Sequence, residues 1–148
     1  MITKSARNRP SRAARSFGYT VAAVLNTVLL YLVNVRPGWR AVPFLTEDTT
    51  RVLVVLNLSL AAGIVANLLY VLYDPPRWKA LGDLVTNSIS LVVLFRVWAV
   101  FPFAFDGHEW TLIARTVLVF AIAGTGIAML VQAVSAAGAV GRSVSGHA

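Results

Sequence analysis

Cysteine is absent from the 148 residues. Disulfides, thiolate nucleophiles and cysteine-bound zinc or iron–sulfur centres are therefore excluded. Histidine is nearly as scarce. His108 falls in an expected loop and His147 is the penultimate residue, so haem ligation from facing helices has no axial candidate. Acidic residues number 6 against 13 basic ones. No glutamate lies in any long apolar run, and Asp83 is the only acid that does. Paired intramembrane carboxylates for acid–base or proton-coupled chemistry are thus missing. Gly124-Thr125-Gly126 is too short for a phosphate-cradling loop and reads as local helix packing. No Ser-His-Asp set can be assembled within the apolar runs, no cofactor is expected, and the chain is expected not to be an enzyme.

Charge as a whole is thin, at 13% of residues, against 57% hydrophobic and a mean hydropathy of +0.72. A soluble domain has about a quarter of its residues charged. The apolar residues gather in four runs, 17–35, 52–73, 80–101 and 110–134. Each has the length that crosses a ~30 Å hydrocarbon layer at ~1.5 Å per residue. The expected fold is an all-α integral membrane protein, an antiparallel bundle of four transmembrane helices. A cleaved signal peptide is the rival reading for span one. That run is longer than a usual signal core and lacks a small-x-small cleavage site, which favours an uncleaved anchor.

Breaks between the runs have local causes. Arg36-Pro37-Gly38, Asp74-Pro75-Pro76 and Phe101-Pro102 each stop a helix, because proline cannot continue one. Thr46, Glu47 and Asp48 are placed to cap span two, and Asp83 follows Lys79 by four residues in the first turn of span three. Segments 1–16 and 139–148 read as flexible tails.

Orientation follows from basic residues, which favour the cytoplasmic side. Lys4, Arg7, Arg9, Arg12, Arg15, Arg77, Lys79 and Arg142 share one side; Arg36, Arg40 and Arg51 share the other, with Glu47, Asp48, Asp106 and Glu109. Both termini are expected to be cytoplasmic, in a bacterial plasma membrane. Tyr19, Tyr70, Tyr73 and Trp78 would form the inner aromatic belt, and Trp39, Trp98 and Trp110 the outer. The basic leader sets topology on this reading, and nucleic acid is not an expected partner. The expected partners are the bilayer itself and other membrane proteins or a second copy.

Polar residues inside the spans are the candidate sites. Asn67 and Asn87 lie equally far from the Pro76-Arg77 turn, so they are expected to hydrogen-bond across spans two and three. Stripes at Ser59, Gly63, Asn67 and Tyr70, at Asp83, Asn87 and Ser90, and at Gly124, Ala128, Gln132 and Ser135 read as interhelical glue. A polar solute pathway through Asn57, Asn67 and Asn87 is the alternative. Arg96 and Arg115 sit level, each nine residues from a stripe, and nine residues turn a helix by about 900°, half a turn net. Both are expected to point away from the packing and to snorkel, aided by Asp106 or Glu109. The sharper alternative is an outer-leaflet anion or partner contact. Functionally, these features suit an accessory or scaffold protein. A homo-oligomeric transporter of a small solute or ion is the alternative, and a lipid-handling enzyme using Asp83 or the outer arginines a weaker one.

Overall fold

The computed structural model describes residues 9–145. Within them lie four long helices: α1 (Arg12–Asn34), α2 (Thr50–Leu72), α3 (Pro76–Val100) and α4 (His108–Ser145). All four are long and apolar enough to cross a membrane.

The helix ends differ instructively from expectation. α1 starts inside the supposed tail, because the Ser11 hydroxyl accepts a hydrogen bond from the Ala14 amide and caps the first turn. α3 starts at Pro76, not near 80. Proline at the first helical position has its backbone already set and lacks only an amide that would be unpaired anyway. Thr46, Glu47 and Asp48 do not cap α2. Glu47 and Asp48 open a 3-10 turn (Glu47–Thr49) that precedes it, with Thr46 just before that turn, and the α2 cap residue Thr49 makes no side-chain capping bond. α4 begins at His108, which therefore starts a helix instead of lying in a loop, and runs on to Ser145. No proline interrupts 135–145, and its alanines favour continued helix. Of the expected C-terminal tail, residues 146–148 lie outside the described residues, as do 1–8 of the N-terminal one.

Neighbouring helices run antiparallel. Asn34 meets Asn57 at one end of the α1–α2 pair and Tyr19 meets Tyr70 at the other. Ser59–Ser90 and Tyr70–Asp83 contacts run the same way between α2 and α3, as do Trp98–Arg115 and Asn87–Gln132 between α3 and α4. The expected four antiparallel helices are present, and their contacts set the order in which they pack. Substantial helix–helix packing joins α1 to α2, α2 to α3 and α3 to α4 only. The helices form an open row with α2 and α3 in the middle.

The physical reason lies in the apolar residues, which surround the helices instead of forming one inward stripe. On α2 alone Val54, Leu58, Val65, Leu68, Leu69 and Leu72 are exposed. No single face demands a common core. Ala23, Leu60, Tyr70 and Leu118 are among the few buried residues, and no described side chain is fully buried.

At one end of the row, the segments 35–49 and 101–107 zip together. The Thr46 amide donates to the Pro102 carbonyl at 2.9 Å, and the Ala104 amide to the Phe44 carbonyl at 2.8 Å. Phe44, Phe103 and Phe105 stack beside this bridge. Phe101 ends α3 in the left-handed region at φ 43°, a conformation costly for a bulky residue. Pro102 disfavours the helical alternative at this position. Trp39 is buried here, so it does not join an exposed outer belt; Tyr70 is likewise buried at the opposite end.

Candidate functional site

The end of the row away from the phenylalanines carries the densest polar cluster. Asp74 lies between α2 and α3, where Pro75 and Pro76 bring two helix ends close together. Arg15 of α1 forks onto it, Nε donating to Oδ2 at 2.6 Å and Nη2 to Oδ1 at 3.3 Å. The Tyr19 hydroxyl donates to Oδ2 at 3.3 Å. Arg9 donates to the Asp74 carbonyl, and Arg12 to the Leu72 carbonyl. Three basic residues thus fold over the carbonyl end of α2, where cations are favoured by the helix dipole. The Arg15 hydrogen bond holds the Asp74 carboxyl below the usual carboxylate range.

Next to it, the Tyr70 hydroxyl donates to Asp83 Oδ1 at 3.2 Å, joining α2 to α3, while Lys79 pairs with Asp83 Oδ2 one turn away. Lys79 Nζ also lies 5.4 Å and 6.0 Å from the ring centroids of Tyr70 and Tyr19. Each carboxylate is held by a cation and a phenol, the chemistry of a clamp. Among the described residues no three of His, Asp and Glu converge as a metal-binding group.

Within the spans the asparagines part company. Asn34 and Asn57 exchange two reciprocal amide hydrogen bonds of 2.8 Å between α1 and α2. Asn87 donates to Gln132 Oε1 of α4 at 3.0 Å. Asn67 donates to the Gly63 carbonyl of its own helix at 2.7 Å. The expected Asn67–Asn87 bond is therefore overturned. Equal depth does not imply facing sides, and α3 presents Asn87 to α4, leaving Ser90 to meet Ser59 of α2. Glycine supplies two close approaches. A Cβ at Gly63 would stand 2.9 Å from Asn26 Nδ2, and one at Gly82 would stand 2.0 Å from the Tyr70 hydroxyl oxygen.

The arginines correct a second expectation. Arg96 is exposed and donates through Nε to the Arg51 carbonyl of α2 at 3.4 Å. Arg115 is half-buried, its guanidinium carbon 4.9 Å from the Trp98 ring centroid and 4.3 Å from that of Phe101. Arg96 does lie half a turn from Asn87, as the spacing requires. In a row, however, the side opposite α4 faces α2 and not open lipid. On α4 the stripe holds only in part, since Gln132 meets Asn87 of α3 while Gly124 has nothing near it and Arg115 packs on α3 as well. Neither arginine makes an ion pair with Asp106 or Glu109 among the described residues; the ion pairs of Arg40 and Arg51 go instead to Glu47 and Asp48.

Two features escaped the sequence reading. Asp74 served there only as a helix stop, although it is the one acid outside the spans on a side crowded with basic residues. Phe101, Phe103 and Phe105 alternate with the period of an extended strand, a signal for the antiparallel bridge between Phe103 and Leu45. No family model matches the chain, and no curated protein or solved structure matches it.

Proposed function

We propose that the chain is an accessory or scaffold component of the bacterial plasma membrane, inserted four times with both termini cytoplasmic and without catalysis of its own. One observation carries this reading. Four pairs of polar side chains join the helices, Asn34 with Asn57, Ser59 with Ser90, Asp83 with Tyr70, and Asn87 with Gln132, while Asn26 and Asn67 bond carbonyls of their own helices. A transporter needs free polar groups along a path, whereas paired ones act as fasteners. The open row supports it further, since it leaves broad apolar flanks of α1 and α4 for another membrane polypeptide.

A photoreactive residue in place of Phe120 or Ile127, both on the exposed side of α4, tests this in living cells. The scaffold reading expects one defined adduct with a different membrane polypeptide at both sites. Adducts with lipid alone, together with solute flux in proteoliposomes that Asn87→Ala abolishes, would favour the transporter and contradict it.

A further inference from the structure

The zipped segments 35–49 and 101–107 roof a cavity of about 330 Å³ at the end of α1, α2 and α3. Its wall runs from Leu32 through Val52 and Leu56 to Val97, with Trp39 and Phe103 in the roof. Thr49 supplies the only hydroxyl of the lining side chains. The Trp39 indole N–H is the only other polar side-chain group of the lining, so the walls are almost wholly hydrocarbon and offer little to order water. An apolar cavity of about 150 Å³ stays dry and accepts benzene, so this one has room for on the order of ten chain carbons. The backbone bonds between Thr46 and Pro102 and between Phe44 and Ala104 brace the roof over it. Leu32, part of the wall, is 41% exposed, so the cavity is not sealed from the apolar surface of α1.

Charge at the rim narrows the occupant. Arg40 and Arg51 pair with Glu47 and Asp48. Arg36 adjoins the wall residue Pro37, is exposed, and makes no side-chain hydrogen bond or ion pair among the described residues. An unpaired guanidinium beside a hydrocarbon-lined cavity matches an anionic phosphate attached to an alkyl chain. We propose that the cavity holds part of one acyl chain of an anionic phospholipid from the surrounding bilayer, the remainder leaving past Leu32, with the phosphate against Arg36. The inference rests on the membrane reading above, which alone places such lipid within reach of Leu32.

Native mass spectrometry of the full chain in detergent, supplied with phosphatidylglycerol or phosphatidylcholine, tests it. One phosphatidylglycerol should be retained per chain. Arg36→Gln should weaken that retention about fivefold, the factor equivalent to about 1 kcal/mol per basic residue near a membrane surface, and should weaken phosphatidylcholine less, because its choline ammonium offsets the phosphate charge. Leu56→Trp, which fills the cavity, should abolish retention of both. A readout in the unfilled cavity stands beside it. With Trp78, Trp98 and Trp110 replaced by phenylalanine, brominated phosphatidylglycerol should quench Trp39 fluorescence to saturation at one lipid per chain. No retained lipid, retention of free fatty acid in place of phospholipid, or quenching that merely tracks the bulk lipid fraction would each overturn the proposal. A chain that needs detergent yet holds no lipid would sink this inference while leaving the membrane reading intact.

Discussion

Two glycines in similar helices carry opposite consequences. Gly82 lies against the Tyr70 hydroxyl, so a methyl group there must displace the Tyr70 ring from its bond to Asp83 or push α2 and α3 apart. Gly82→Ala should destabilise the fold by about 1–3 kcal/mol, the usual cost of overpacking. Gly124 faces open space, and Gly124→Ala should be neutral or stabilising by about 0.5–1 kcal/mol through reduced backbone freedom. Reversible unfolding in mixed micelles compares the two, and equal effects would contradict the close α2–α3 approach. Asp74 gives a pH prediction at the same scale. Its carboxyl is held below the ordinary value by Arg15, so its contribution is complete above the unfolded carboxylate pKa of about 3.9 and is lost as pH falls through the depressed value. Amide exchange in the first turns of α1, corrected for the intrinsic pH dependence, should lose its protection in that acid range. Asp74→Asn should lower the protection at neutral pH and remove the acid step.

Between elements, paired amides act as bolts at chosen depths. The Asn34–Asn57 pair should show a coupling of about 0.6–1.7 kcal/mol in a double-mutant cycle with leucine. Asn67→Leu should show no comparable coupling to Asn87, because Asn67 bonds within its own helix. Much of this level was legible in the sequence. Four apolar runs gave four helices, and proline clusters marked their breaks, since hydropathy and missing amides act locally. Partner choice was not legible. Knowing that Asn67 and Asn87 share a depth says nothing of which way α3 is rotated, and rotation depends on whether the helices close or spread. The same ambiguity misdirected the reading of Arg96 and Arg115. Ser11 was a readable cap, but the start of α1 was obscured by charge that suggested a tail; Asp74 and the Leu72 carbonyl, far along the chain, hold those arginines together with the local Pro10 carbonyl. Phe44 and Phe103 also meet across more than fifty residues, and Phe103→Ala should loosen the roof, raising proteolysis within 35–49 in purified protein.

As a whole the molecule fits the proposed membrane setting, a solvent that tolerates exposed hydrocarbon. In water an open row with Phe17, Val54, Leu72 and Phe120 each 73–74% exposed would collapse or aggregate. In lipid tails the same surface is already at home, and nothing drives α1 toward α4. Because the chain has no native cysteine, the idea can be tested with single substitutions. Val54→Cys, Val92→Cys and Phe120→Cys, in sealed native membranes, should resist a water-soluble maleimide and become reactive only after detergent denaturation. Prompt labelling of all three in intact membranes would show water around the helices and contradict the account.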